Sequence, residues 1–419
     1  MPAALTRRIL LCLLIAAPAV TMRILGIEFS PVADVLIFGA AVVASAFLLA
    51  WAAEAAQKDI SGALAIALLA LIAVLPEYAV DLYYAYRSGT DPSYLHDAAA
   101  NMTGSNRLLL GFGWPLVVIV ALVVALRVAR QKGAVAPHFL QLPNDSRLDI
   151  GVLAILGILA FAIPLFGAIP LWFGIGLIVI FGLHLWRAGQ VHDEEEEEFV
   201  GASALIAGMD TRPRRILVVA MFLGSAAVIL SSAEPFADAL VASGSALGID
   251  SYFLVQWLAP LASEAPEFII AVLFALRGKG AAAIGTLIAS KVNQWSLLVG
   301  SLPVAHLLGG GPAELVLDAR QVEEFTLTAT QTLLGVAIII ALRFHWWSAL
   351  GLAALFAVQF FVTDTTGRYV LSAIHVVLAL GFFIAHRRDI VPTLTAPFRR
   401  IERESSDDDE PSNVVGAHA

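Results

Sequence analysis

Charge is scarce in this chain. Only 14% of its 419 residues are Asp, Glu, Lys or Arg, where a soluble domain carries about 25%. With 59% hydrophobic residues and a mean hydropathy of +0.84, bilayer rules replace those of a soluble core. Cysteine is nearly absent: Cys12 stands alone, which excludes an internal disulfide framework and a cysteine-built metal centre. No His-Glu-x-x-His zinc motif and no Gly-x-Ser-x-Gly nucleophile turn occurs, which argues against a membrane-embedded enzyme. The formal net charge of −9 comes largely from two runs, His192 to Glu198 and Asp407 to Glu410. The acidic balance argues against a nucleic-acid partner and leaves the lipid bilayer as the expected surroundings.

What is present is long apolar stretches, each near the roughly 20 residues that cross a bilayer. They fall near 8–25, 32–56, 60–87, 95–128, 148–166, 169–187, 213–245, 251–276, 282–308, 322–342, 346–362 and 368–386. The expected fold is therefore an all-α polytopic membrane protein with about twelve transmembrane helices. The fourth stretch is long and expected to kink near Gly113-Trp114-Pro115. Arg7-Arg8 before the first apolar run, with Ala16-Ala17-Pro18-Ala19 inside it, also fits a cleaved signal peptide. Basic residues collect in alternate connections: Lys58; Arg127, Arg130, Lys132 and Arg147; Arg187, Arg212, Arg214 and Arg215; Arg277 and Lys279; Arg343; Arg387 and Arg388. By the positive-inside rule these connections and both termini are cytoplasmic, in the plasma membrane. The run 193–198 reads as a solvated acidic connector, and the tail from 387 as disordered.

Two stretches break the apolar pattern alike. Leu75-Pro76-Glu77 and Ala265-Pro266-Glu267 put a proline and a carboxylate at bilayer depth, 190 positions apart. Arg87 and Arg277 keep the same offset, and Tyr78/Phe268, Val80/Ile270 and Tyr84/Phe274 match in type. In the next helix, Ala100 to Asn106 aligns with Gly285 to Lys291 at an offset of 185, the difference falling in the loop Ser88 to His96. With the deduced topology the two copies run antiparallel. That is an inverted repeat, in which discontinuous helices meet at the midplane and hold an ion.

The chemistry follows from the residue types. A proline frees the carbonyl four residues earlier, here Ile72 and Ala262. Free carbonyls beside carboxylates are hard oxygen ligands, suited to calcium or sodium. Two glutamates give a site of charge −2, matching one divalent cation, or monovalent cations and protons in exchange. Ser263, Ser105, Asn106, Ser290 and Asn293 add neutral oxygens, and Asp81, Asn101 and Gln294 are accessory candidates. Bland alternatives stand beside each. The glutamates could pack helices, Gly104-Ser105 and Ala289-Ser290 could be close-packing motifs, and Asp81 could be interfacial. Scattered His184, His306 and His375 read as structural, and Arg87 and Arg277 as snorkelling helix ends.

At these residues the pattern resembles the calcium/cation antiporter superfamily, which includes sodium/calcium and proton-coupled calcium exchangers. Leu75-Pro76-Glu77 with Asn101-x-x-Gly104-Ser105-Asn106 is similar to that family's first repeat, and Ala265-Pro266-Glu267 with Gly285-x-x-x-Ala289-Ser290 to its second. The resemblance covers about 33–362 and implies a ten-helix core with one added helix at each end. The implied parts are an N-terminal helix (1–31), a first half (32–187), a connector (188–212), a second half (213–362), a C-terminal helix (363–386) and a tail (387–419). It implies alternating access around a midplane cation site centred on Glu77 and Glu267. No resident cofactor is implied, only transported Ca2+, Na+ or H+. Calcium exchange for sodium or protons is the leading expectation, and monovalent cation/proton antiport the alternative. The departures lie around the glutamates. Ala73 and Val74 replace the hydroxyls of the first repeat, while the second has Ser263 and an added Glu264. Lys291 stands where the family has asparagine. As an intramembrane cation it needs an anionic partner, and Glu264, three residues before Glu267 on the same face, is the natural one. Its ammonium would then stand where relatives bind sodium.

Overall fold

A computed structural model describes residues 2–56, 58–59, 75–135, 137–188, 190, 199, 201–246, 248 and 251–399. The acidic run 193–198, Ala73, Val74, the Ile72 carbonyl and 400–419 lie outside the described residues.

The structure is helical almost throughout. In chain order the helices are α1 (Ala3–Leu25), α2 (Pro31–Ala56), α3 (Leu75–Ser88), α4 (Tyr94–Leu108), α5 (Trp114–Lys132), α6 (Ser146–Leu159), α7 (Ala162–Phe166), α8 (Leu171–Ala188) and α9 (Ala202–Ala207). The second half holds α10 (Thr211–Ala246), α11 (Ser251–Leu276), α12 (Gly280–Asn293), α13 (Val299–Leu308), α14 (Ala319–Ile339), α15 (Trp346–Val358), α16 (Thr365–Ala385) and α17 (Arg387–Thr395). Among the described residues, seven helices are long and apolar enough to cross a membrane. This is a multi-pass membrane protein.

Local sequence sets several boundaries. Gly26 and Gly133 take φ of 63° and 64° after α1 and α5, the left-handed cap that ends a helix. Asp318 and Gln321 form a capping box that starts α14. Asp364 caps α16 through the Gly367 amide at 2.7 Å.

Four three-residue strands carry the clearest trace of the internal repeat: β1 (Phe139–Gln141), β2 (Ala168–Pro170), β3 (Glu314–Val316) and β4 (Arg343–His345). β1 pairs antiparallel with β4, and β2 with β3. Phe139 and Glu314 are 175 positions apart, and so are Ala168 and Arg343. Shifting β1–β4 by one repeat therefore gives β3–β2 in the same register, so the two ribbons exchange under the pseudo-two-fold. Each pairing also requires its two strands to lie on one side of the membrane, as the basic-residue pattern deduced.

The helix after each Pro-Glu stretch shows the same duplication. α4 runs into α5 through a π-helical turn at Leu109–Gly113, and α12 runs into α13 through one at Gln294–Leu298. The two turns are again 185 positions apart. The kink expected at Gly113-Trp114-Pro115 is thus a π-turn, with Pro115 tolerated at the start of α5. The second copy has one too, although no proline marks it at that point.

Two further expectations are corrected. α11 is not interrupted: Ser251–Leu276 is one helix that runs past Pro266, because a proline forfeits only one backbone bond and bends rather than ends a supported helix. The stretch 148–166 holds α6 and the short α7, which together make one apolar span, Ser146–Phe166. The tail does not begin at 387, since α17 docks on α6, with Arg147 bound to Asp389 at 2.9 Å and Thr393 at 2.6 Å. Within the span assigned to the connector, α9 is buried against the end of α2, where Ser203 donates to Glu54 at 2.6 Å and Lys58 to the Ala207 carbonyl at 2.8 Å.

The main core gathers α1 to α8 and α10 to α16, with Ala16, Ala19 and Met22 from α1, while a smaller cluster joins α1 to α2, α9 and α10 through Leu5, Ile9 and Cys12. Small residues bring helices close. Cβ atoms added at Gly174 or Gly300 would meet the other's carbonyl oxygen at 2.7 and 2.6 Å, the close approach typical of membrane helices.

Candidate functional site

Helices α3 and α4 of the first repeat meet α11, α12 and the second π-turn at the polar centre of the molecule. Gly104 permits this meeting, since a Cβ there would sit 1.8 Å from the Gln256 carbonyl oxygen of α11. Four acidic side chains converge: Glu77 and Asp81 from α3, Glu264 and Glu267 from α11. Glu77, Asp81 and Glu264 are 5%, 0% and 2% exposed. Glu77 is close enough to Asp81 and Glu267, and Glu264 to Glu77 and Glu267, for the carboxylates to repel one another. Asp81 is therefore a buried group and not an interfacial one.

Neutral side chains bind these carboxylates. Gln294, at the start of the second π-turn, donates its amide to Glu77 at 3.2 Å and also to Glu264. Ser290 donates to Glu267, and Asn101 to Asp81 at 2.6 Å. Tyr78 donates to the Asn293 side chain at 3.4 Å, and Ser263 to the Pro260 carbonyl at 3.2 Å. The predicted residues thus come together, with Gln294 more central than its accessory standing in the sequence.

Lys291 differs from its expectation. No ion pair joins it to Glu264 among the described residues; its ammonium donates to the backbone carbonyl of Asn106. Gln294 has taken Glu264 instead. Asn106 is the residue 185 positions before Lys291, its own counterpart in the first repeat. It lies just before the first π-turn, and such turns disturb the regular backbone ladder and recur at functional sites.

Several buried oxygens have no donor. They are Asp81 Oδ2, Asn101 Oδ1, Asn106 Oδ1, Glu264 Oε2 and Gln294 Oε1, while the Ser105 hydroxyl lies within reach of Glu77. An unmet buried polar atom is costly, and most find partners. Five together, among carboxylates, form an electron-rich surface fit for hard cations. Among the described residues no three His, Cys, Asp or Glu side chains form a ready metal cluster, so amide, hydroxyl and carbonyl oxygens would have to complete any coordination. Exposure differs among these groups: Glu267 and Ser290 are partly exposed and Thr286 and Ala289 exposed, while Glu77 is buried.

A second charged group escaped sequence reasoning. Arg107, next to Asn106, pairs with Glu324 of α14 at 2.5 Å. Arg368 of α16 binds Glu323 at 2.9 Å and also Glu324. The Arg107 guanidinium lies 5.2 Å from the Trp257 ring on α11. All four charged groups are buried. The signal was available, since ionisable residues within apolar stretches are costly by default. The histidines are accounted for by packing contacts: His306 with Ser88 at 2.8 Å, His184 with Asp149 at 3.5 Å, His375 with Thr330 at 3.4 Å. Arg87 lies against the Tyr94 ring at 4.9 Å and does not simply snorkel.

The exchanged ribbons, the paired π-turns and the buried polar centre define a membrane protein of the inverted-repeat antiporter fold. The chain matches the sodium/calcium exchanger protein family over residues 31–189 and 217–363, and it belongs to that family. Among solved structures it is similar to the H+/Ca2+ exchanger CAX, at 36% identity and a TM-score of 0.88 over 95% of this chain and 98% of that one. Two more distant structures share the fold. The Ca2+/H+ antiporter protein YfkE has 18% identity and a TM-score of 0.58 over 89% and 99% of the two chains. The sodium-calcium exchanger NCX_Mj has 17% and 0.52 over 80% and 98%. No curated protein matches the chain.

Proposed function

We propose that the protein is a secondary active antiporter that moves Ca2+ across the plasma membrane in exchange for H+ or Na+. Glu77 and Glu267 are the central ligands, with Ser105, Asn106, Ser263, Glu264, Ser290 and Asn293 in support. The observation that carries this reading is the set of unpartnered buried oxygens around the converging carboxylates, none of which forms an ion pair with a basic side chain among the described residues. Such a centre is stable when a cation or protons neutralise it, and mutually exclusive occupancy is what antiport requires. Repulsion among the carboxylates makes the empty, ionised centre the unfavourable state, so a cation leaves readily only when another positive charge replaces it. In this reading residues 32–187 and 213–362 form the two halves that alternate access, and both termini are cytoplasmic.

The second reading is monovalent cation/proton antiport. It is favoured by Ala73 and Val74, which leave the two positions four and three residues before Glu77 without hydroxyls. Purified protein in proteoliposomes separates the two. Calcium uptake driven by an imposed pH or sodium gradient supports the first reading. Sodium uptake driven by a pH gradient, without calcium transport, supports the second.

A further inference from the structure

Five aromatic and imidazole rings stand in one row where β1 pairs with β4. Phe139 lies opposite His345 in the ribbon, with ring centres 5.1 Å apart. Trp347 is 5.6 Å from His345, Phe382 of α16 is 5.6 Å from Trp347, and His386 is 6.2 Å from Phe382. Those last three steps are stacked, with planes inclined by 26°, 12° and 18°. The Arg343 guanidinium ends the row, 5.2 Å from the Phe139 ring. Leu342, just before it, takes φ of 58°, alone among the described non-glycine residues. Such strain collects at binding sites and switches.

The row holds Arg343, His345 and His386, and among the described residues no acidic side chain pairs with any of them. Burial first, and then Arg343, His386 and His138, push His345 below its ordinary 6.5. The elements packed on the ribbon are α5, α12, α14 and α15. Their charges at this end are of the same sign: Arg127, Arg130 and Lys132 on α5, and Lys279 ahead of α12, with Lys291 deeper within it. α15 has no charged residue, and Glu323 and Glu324 lie at the far end of α14. On α17, Arg387 and Arg388 are exposed, and Asp389 is bound to Arg147 at 2.9 Å. The other ribbon lacks this set. One repeat of 175 positions takes Arg343 to Ala168, His345 to Pro170 and Phe139 to Glu314, but Trp347 to Trp172. The two tryptophans, 50% and 65% exposed, stay at both ends, where they anchor a protein in the two headgroup layers. The bases occur at one end only.

We propose that this row binds the phosphate of an anionic phospholipid in the leaflet at its end of the molecule, with Arg343, His345 and His386 as the ligands. By the basic-residue pattern that leaflet is the cytoplasmic one, whose anionic lipids make its surface negative. Guanidinium and imidazolium donors form strong charge-assisted bonds to phosphate oxygens, and one phosphate supplies the counter-charge that the row lacks. A soluble phosphate would meet the same donors. The lipid is favoured because Trp346 and Trp347, 48% and 50% exposed, flank the row at the start of α15, where glycerol and acyl chains would lie. An anion beside an imidazole favours its protonated form. Binding therefore takes up a proton, and affinity rises as pH falls from about 8 to about 5. The row shares no residue with the carboxylate centre, and the proposal does not depend on the antiport reading.

The test titrates the full chain, in neutral detergent micelles, with dioleoylphosphatidylglycerol or dioleoylphosphatidylcholine and counts bound lipid by native mass spectrometry. At about pH 6 the anionic lipid should bind about tenfold tighter or more, since each base near an anionic surface is worth about fivefold. Arg343→Gln should weaken that binding about fivefold and leave phosphatidylcholine unaffected. His345→Gln should also flatten the pH dependence. Arg277→Gln, which removes an exposed base outside the row, should change neither. Equal binding of the two lipids, an affinity independent of pH, or an equal loss in Arg277→Gln overturns the proposal. So does displacement of the lipid by inorganic phosphate at equal concentration, which would mark a site for a soluble anion. If Arg343→Gln does not fold, unchanged affinity in His345→Gln and His386→Gln overturns it alone.

Discussion

Replacing Glu324 by glutamine keeps the shape of the side chain and removes one charge from a buried group of four. Glu324 is 0% exposed, lies 2.5 Å from Arg107 and also binds Arg368. Two unit charges about 4 Å apart attract by about 4 kcal/mol at an effective dielectric of about 20, but desolvation offsets much of that in an intact pair. Removing one partner is different: it strands buried guanidinium charge and costs about 3–5 kcal/mol. That is roughly two to four orders of magnitude in the folding equilibrium. Titration with a denaturing detergent, starting from mild micelles, would read it as an early loss of helix. Arg368→Gln should cost a similar amount, since it leaves Glu323 and Glu324 against one arginine. The double variant leaves one charge of each sign, Arg107 and Glu323, and should cost less than the two singles combined by about 1–3 kcal/mol. Effects that add to within about 0.5 kcal/mol, or singles indistinguishable from the parent, would refute the argument that these charges act as one unit.

Other outcomes follow from single contacts. Gly104→Ala places a Cβ 1.8 Å from the Gln256 carbonyl oxygen and should force α4 from α11, at about 1–3 kcal/mol or more; unchanged thermal stability and transport would show that the helices have slack. Asp59 is held at about 2, below its ordinary 3.8, first by its hydrogen bond from Arg214 and then by Arg215. Its contribution is therefore present at neutral pH and lost as pH falls from about 4 to about 2. The stability gap between parent and Asp59→Asn should close over that range, and a constant gap would contradict the assignment. Lys291→Asn removes an ammonium from the site and installs the residue of its counterpart Asn106. Ion selectivity and pH dependence should both change, and the idea of a tethered cation fails if neither does.

The repeat made much of this legible beforehand. Glu77 and Glu267 stood out because a charge in an apolar run is expensive and because the same exception occurred twice. The inverted arrangement followed from where arginine and lysine sit, and the strand pairs Phe139–His345 and Ala168–Val316 agree with it. What stayed hidden depends on reach between helices. Sequence spacing placed Glu264 near Lys291 on adjoining elements, yet whether an ammonium meets a carboxylate or a carbonyl is settled by how α4, α11 and α12 cross. Gln294 looked peripheral because its two partners, Glu77 and Glu264, are 217 and 30 positions away. Arg368 stands at the very start of the last apolar stretch, one turn inside α16, and only the packing of that helix against α14 buries it. The π-turns were invisible for a similar reason: an extra residue in a helical turn changes no side-chain type.

The central claim is that Glu77 and Glu267 together hold the transported cation. Radioactive calcium uptake into proteoliposomes under an imposed pH or sodium gradient tests it most directly, with parent, Glu77→Gln and Glu267→Gln reconstituted at equal amounts. The account predicts gradient-driven uptake in the parent and its loss in both variants, with the fold retained. Uptake that survives in both substitutions would contradict it.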